Sequence, residues 1–366
     1  MAGPIRVLLN ASAIPRQPAG AGIYTIELAR ALAQRSDLDL AVAAPWDVTE
    51  GNGRAILSPR RGPLARSLWE QARVPQLLSD GFDVYHGAHF ALPLRANAPC
   101  VATVHDLTFY RLPKRYRADR RWYYRALAQL ARRADRVIVP STGVAGDVVR
   151  YLQYPSERVR VIPEAARSGL GPAPGEAVAA VCARLGVEPG YLLCVGTAEP
   201  GKRAVDAVRA LAVLRERGLR MQLVLAGNEG PLSAALRREA ERLGVGEDVR
   251  FAGYVPDNEL AALYTGALAL VFPSLYEGFG LPPLEAMTCG TPVVAANAPA
   301  MAEVLPGGAI FVPLRDPGAI ADAVERLSRD REWREEWRQR GCEVARRYSW
   351  ERAARETVEV YREVVR

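Results

Sequence analysis

Two glutamates eight positions apart, Glu277 and Glu285, flank a glycine- and proline-rich turn in the stretch FPSLYEGFGLPPLEAMTCGTPVVAAN at 272–297. Gly278 and Gly280 let the backbone approach a ligand with no Cβ in the way. Pro282 and Pro283 suit the first turn of a helix, where a missing N–H costs nothing. The amides from Gly278 through Phe279 and Gly280 to Leu281 then face an anion site at a helix start. A carboxylate in the loop and another on the helix can grip hydroxyls on either side of that anion. Sugar, diphosphate and ribose in series make a ligand of this form. An ordinary strand–loop–helix unit is the bland alternative.

Charge for such an anion comes from Val195-Gly-Thr197-Ala-Glu-Pro-Gly-Lys202-Arg203, which follows an apolar run. Lys202 is one of only two lysines among 48 basic residues, the other being Lys114. In an arginine-rich chain, a lysine here suggests that a compact point charge is needed. A lysine at a helix start would also explain it. Tyr254, after another apolar run, serves either to stack on a base or as a core aromatic.

Three features of the first half fall where strands should end. Pro18-Ala-Gly20-Ala-Gly22-Ile-Tyr24 is a small-residue loop able to present amides to substrate oxygens. It lacks the third glycine of a dinucleotide fingerprint, and a plain tight turn accounts for it too. His105-Asp106 can hydrogen-bond a sugar hydroxyl or a backbone carbonyl. Ser141 reads as a helix N-cap. Asp37-Leu-Asp39 imitates a cation-binding pair but lies before a strand and reads as a turn. His86 and His89 lack a coordinating cluster and read as a packed or hydrogen-bonded strand-end pair.

Short apolar runs at 5–10, 38–44, 84–86, 101–105, 136–140 and 159–163 alternate with helical stretches at 24–35, 120–133 and 144–152. That alternation predicts an α/β domain with a parallel sheet, whose ligands sit at the carboxyl ends of the strands. Residues 165–175, rich in Gly, Pro and Ala, read as a linker. The alternation then restarts at 191–196, 222–226, 249–252, 268–272, 292–296 and 309–312. Two Rossmann-like lobes facing a cleft are expected. Ser349 reads as the N-cap of a last helix, with Trp350 packing beside it.

The chain has 366 residues, comfortable for two domains. It is 49% hydrophobic and 24% charged, with no apolar run near the roughly 20 residues of a membrane span. The N-terminus reads as a strand, and five scattered cysteines as reduced core residues, so a cytoplasmic protein is expected. Between Arg111 and Arg136 ten basic residues face two acids, more than the whole net charge of +7. Trp122, Tyr123 and Tyr124 interrupt that run. It reads either as a membrane-surface or polyanion contact, or as a solvated helix with its aromatics in the core. No nucleic-acid module is present.

The pattern PS-x-x-EGFGLPPLEAM-x-x-G-x-PVVA closely resembles the retaining nucleotide-sugar glycosyltransferases of glycosyltransferase family 4, and TVHDLTFYRLPKRY their mannosyl- and rhamnosyl-type branch. The resemblance implies the GT-B architecture: an acceptor domain at 1–168, a donor domain at 169–348, and a helix at 349–366 crossing back to the first. It implies hexose transfer from a nucleotide-diphosphate sugar, GDP-mannose first and UDP- or dTDP-linked sugars behind it. The acceptor would be a glycan, a small molecule or a lipid-linked sugar, and no metal would be needed. Glu277 would orient the sugar, Glu285 hold the ribose, and Lys202 with Arg203 neutralise the leaving group. Relatives commonly carry an arginine where this chain has Gly201. His105, with Asp106 and Gly22, would meet the donor from the other lobe. Two readings stay beside it: a sugar-nucleotide isomerase or epimerase on the same architecture, and a non-catalytic nucleotide-sugar binder.

Overall fold

A computed structural model describes residues 3–59, 62–90, 92–113 and 116–365, so the lysine and arginine at 114 and 115 of the basic run lie outside the described residues. Contacts divide the chain into two compact units, residues 1–165 with 349–366, and residues 166–348.

The first unit runs β1 (Ile5–Asn10), α1 (Ala21–Ala33), β2 (Leu38–Ala44), β3 (Arg54–Leu57), α2 (Pro63–Ser79), β4 (Val84–Gly87), β5 (Cys100–Thr103), α3 (Thr108–Arg111), α4 (Ala118–Leu130), β6 (Arg136–Val139), α5 (Thr142–Leu152) and β7 (Val159–Val161). Its strands form one sheet in the order β3-β2-β1-β4-β5-β6-β7, with every pairing parallel. Strands β1 and β2 are buried almost throughout, as a sheet covered on both faces requires. Sequence reading omits β3 and α2. The RAIL strand β3 lies on the sheet edge, and its apolar run, Ala55–Leu57, is too short to mark a strand by itself. Helix α2 carries Pro75 in its interior, which reads as a break. Helix α1 begins at Ala21, not Tyr24, because Gly20 at φ +48° supplies its N-cap. The Ser141 hydroxyl does cap α5, accepting from the Val144 amide.

The second unit runs α6 (Gly175–Leu185), β8 (Tyr191–Val195), α7 (Ala204–Glu216), β9 (Leu223–Ala226), α8 (Ser233–Arg242), β10 (Val249–Gly253), α9 (Asp257–Thr265), β11 (Ala267–Phe272), α10 (Leu281–Thr288), β12 (Val293–Ala296), α11 (Pro299–Val304), β13 (Ile310–Val312), α12 (Pro317–Arg329) and α13 (Arg331–Ala345). Its six parallel strands follow the order β10-β9-β8-β11-β12-β13. Successive strands step outward on one side of β8, then on the other side from β11. The β8 and β11 loops therefore diverge, the switch point where such sheets bind ligands.

The last helix, α14 (Trp350–Val365), belongs to the first unit. It buries Trp350, Val358 and Tyr361 against α1 and the β4–β6 strands. The Tyr361 hydroxyl lies 2.7 Å from His86 Nδ1, and Glu363 pairs with Arg136 and Arg160. Asp37 bonds Arg35 and Arg362 while Asp39, inside β2, faces Arg6, so this pair holds arginines in place. All five cysteines are free thiols, four of them buried.

Candidate active site of the second unit

Lys202 follows β8 and Glu277 follows β11, so the switch point brings the two loops together. The Lys202 ammonium donates to both Glu277 oxygens, at 2.7 and 2.9 Å, and lies 5.5 Å from the Phe272 ring centroid. A backbone bond from the Leu275 amide to the Gly201 carbonyl, 2.9 Å, stitches the loops beside this pair. Lys202 also lines a cavity of about 200 Å³ with Gly196, Thr197, Asn228, Phe272 and Ser274. Ser274 is 1% exposed, and its hydroxyl has no partner among the described residues. A buried hydroxyl without a partner is costly unless something fills the cavity.

Two glycines let the neighbouring loops close. A Cβ on Gly227 would come 2.5 Å from the Gly196 carbonyl oxygen, and one on Gly230 would strike the Ala198 backbone. The β9 loop thus lies directly against the β8 loop, leaving the cavity mouth to backbone and small side chains.

Arg203 departs from its expected direction. It takes φ +54° at the start of α7, and its guanidinium engages both oxygens of buried Asp206, at 2.5 and 2.8 Å. Lys202 is left as the cation turned toward Glu277.

Glu285, on α10, is 1% exposed. One oxygen accepts from Arg167 Nε at 2.8 Å and the other from the Tyr264 hydroxyl at 2.8 Å. Burial pushes its carboxyl above the usual carboxylate range, against the pull of Arg167 and Tyr264. Arg167 also pairs with Asp257 at the start of α9, beside half-buried Tyr254. Within the 165–175 stretch read as a linker, Arg167 and Ala173 are therefore bonded to the second unit. The Ala173 amide adds a 3.0 Å bond to Thr265 Oγ1.

The turn between the glutamates is tight. Gly280 takes φ +101°, a region that disfavours side chains, and caps α10. Pro282 and Pro283 have no N–H, so the first turn of α10 offers no backbone donor at those two positions. Phe279 is buried edge-on against Tyr348, with centroids 5.6 Å apart. Leu281 is buried beside it.

The first unit's candidates have partners of their own. His105 donates from Nε2 to the Ala88 carbonyl at 2.9 Å and sets Nδ1 3.1 Å from Glu164, its ring edge-on to Tyr24. Asp106 accepts from the Thr108 amide, closing the turn into α3. Gly22 lies within the first turn of α1, and its amide is spent on the Ala19 carbonyl. His86 bonds Tyr361 and Thr103, whereas His89 packs at a tilt against Phe90 and its Nδ1 finds no partner among the described residues.

The family model described as Glycosyltransferase Family 4 matches residues 18–166, and that described as Glycosyl transferases group 1 matches 184–344. O-antigen chain mannosyltransferase B of Escherichia coli is 32% identical, over 94% of this chain and 96% of its own. This chain belongs to glycosyltransferase family 4. O-antigen chain mannosyltransferase RfbU of Salmonella typhimurium is 26% identical over 88% of this chain and 90% of its own. HepE of Anabaena, whose structure holds UDP and glucose, superposes with a TM-score of 0.78 over 97% of this chain and 98% of its own, at 19% identity. That likeness establishes the fold: two Rossmann-like domains of the GT-B type. The protein is a glycosyltransferase.

Of the residues singled out in the sequence, the structure pairs Lys202 with Glu277 and lines one cavity with Lys202 and Thr197, while Glu285 sits on α10. Sequence reading missed Arg167 and Tyr264, which hold Glu285, and Asp257, which pairs with Arg167. It passed over Ser274 as a lead into the motif.

Proposed function

We propose that this family 4 enzyme transfers a hexose, mannose first, from a nucleoside-diphosphate sugar to a glycan, small-molecule or lipid-linked acceptor, with retention at the anomeric carbon and without a metal. The observation that carries the reading is the Lys202–Glu277 pair at the switch point, beside a cavity with an unsatisfied serine. In the free protein the two charges satisfy each other. A bound diphosphate would draw the Lys202 ammonium toward itself and release Glu277 to a sugar hydroxyl. As the bond from the anomeric carbon to the phosphate oxygen breaks, negative charge grows on the departing diphosphate. Lys202 and the amides from Gly278 to Leu281 stabilise it where it appears. The acceptor then attacks from the side the diphosphate leaves. Glu285 is proposed to meet the ribose through the lone pairs that Arg167 and Tyr264 leave open. His105 is proposed as a further sugar contact. The mannosyltransferase relatives favour a mannose donor; the UDP in HepE keeps UDP-sugars next in order.

A thermal-shift series with GDP, UDP and dTDP identifies the nucleotide, because a ligand of the folded state stabilises it by mass action. With the matching sugar, Lys202→Ala should lose about 10²–10³-fold in kcat while keeping its melting temperature. Glu277→Ala and His105→Ala should lose transfer but retain the nucleotide shift. A chelator should change nothing. Full turnover by the Lys202→Ala protein would end the leaving-group role.

Among the described residues no helix is long and apolar enough to cross a membrane. We further propose cytoplasmic location with peripheral membrane contact through α4. Trp122 there is 73% exposed, whereas Tyr124 stacks on Phe109 in the core. Co-sedimentation with anionic vesicles, weakened by Trp122→Ser, tests it.

A further inference from the structure

The first unit holds a cavity of about 630 Å³ at the carboxyl ends of β1 and β2 and the start of α2. Its size falls within the roughly 300–1,000 Å³ of small-molecule sites. Ser12, Arg16, Pro45, Trp46, Gly62 and Arg66 form its chemically distinctive walls, and no carboxylate is among the described residues lining it.

Arg66 stands in the first turn of α2, which follows Gly62, so the positive end of a 17-residue helix adds to its charge. Beneath it lies Glu70, 4% exposed, one of whose oxygens accepts from Ser12 Oγ at 2.7 Å and Asn10 Nδ2 at 3.2 Å. Arg66 Nε reaches only to 3.6 Å of that oxygen and, although buried, completes no hydrogen bond among the described residues. Glu70 thus anchors Arg66 without using its donors. Arg16, also lining the cavity, is exposed and makes no ion pair among the described residues. Two guanidinium-bearing residues and a helix start thus line one cavity, with a single, preoccupied carboxylate behind Arg66. Half-buried Trp46 offers an apolar face to sugar C–H groups.

The geometry points to a binding site for a sugar bearing a phosphoryl group. Guanidinium forks and a helix start are the donors that match the several oxygens and double charge of a phosphoryl group. Resting on the transferase reading above, this site defines the acceptor class: a phosphorylated sugar or a glycan ending in one.

Isothermal titration of the full chain, already saturated with its nucleoside diphosphate, tests the site with hexose 1-phosphate, inorganic phosphate and a methyl hexoside. Hexose 1-phosphate should bind, inorganic phosphate more weakly, and the uncharged hexoside not measurably. Arg16→Glu and Arg66→Gln should each weaken the hexose phosphate about tenfold or more, with nucleotide affinity unchanged. Arg16 is exposed, so its variant cannot fail merely by misfolding. Undiminished binding to Arg16→Glu, or equal binding of the methyl hexoside, overturns the proposal. If the nucleotide binds and the hexose phosphate does not, this site falls and the donor reading stands; the reverse result sinks only the donor reading. Recruitment to phosphatidylcholine vesicles carrying phosphatidylinositol, abolished by Arg16→Glu, would place the phosphoryl group on a lipid. Binding of the soluble sugar alone would place it on a soluble acceptor.

Discussion

Glu285 shows how one buried charge is held. A carboxylate at 1% exposure survives because Arg167 and Tyr264 each occupy one of its oxygens. Removing the cation while keeping the anion is the costly direction. Arg167→Met should therefore cost about 3–5 kcal/mol in urea unfolding of the second unit. Adding Glu285→Gln should recover part of that loss, since the uncompensated charge goes with it. A purely additive double variant would mean that the two residues do not act as a pair. The glutamates themselves were legible because Gly and Pro at fixed offsets mark a turn into a helix. Arg167 was not. It is one arginine among many, in a stretch whose Gly and Pro content describes a free connector, and only the fold shows that it reaches α10 and α9. Arg203 misled for the opposite reason: its position beside Lys202 was right, but Asp206 three residues on takes its guanidinium.

At the level of elements, the site depends on how closely three loops can stack. Gly227 has φ +139° and faces the Gly196 carbonyl where a Cβ would sit. Gly227→Ala should force the β8 and β9 loops apart, costing about 1–3 kcal/mol and most of the nucleotide-induced thermal shift. If that shift persists, the loops are not what shapes the nucleotide site. Strand positions were readable at this scale because buried parallel strands are continuous apolar runs. β3 and α2 were not, since an exposed edge strand and a proline-bearing helix both break the expected pattern. The cavity walled by Arg66 depends on α2 and so was also out of reach.

On the scale of the molecule, the chain's end returns to the unit where it began, and α14 closes over His86. Burial, with the charge of His105 adding to it, lowers the His86 pKa from its ordinary 6.5 to about 3. The unfolded chain takes up this proton near 6.5 and the folded protein resists until about 3. Stability from this residue is thus complete above 6.5 and falls with acidification toward 3, by about 1.4 kcal/mol per pH unit. His86→Gln should flatten the stability–pH curve in that window by one proton, read from urea midpoints at successive pH values. An unchanged slope would mean that the histidine is not kept neutral. The doubled α/β alternation made the two-unit plan legible from sequence, as Ser349 did the last helix, whose return to the first unit followed from the family resemblance.

The pairing of Lys202 with Glu277 also makes the donor site unusually easy to watch. With two lysines in 366 residues, reductive ¹³C-methylation would put labels on two side chains and the amino terminus. The Lys202 signal, assigned by its loss in Lys202→Arg, would report the exchange of carboxylate for phosphate as a change in chemical shift. The composition thus supplies a spectroscopic window onto the donor site without any engineered label.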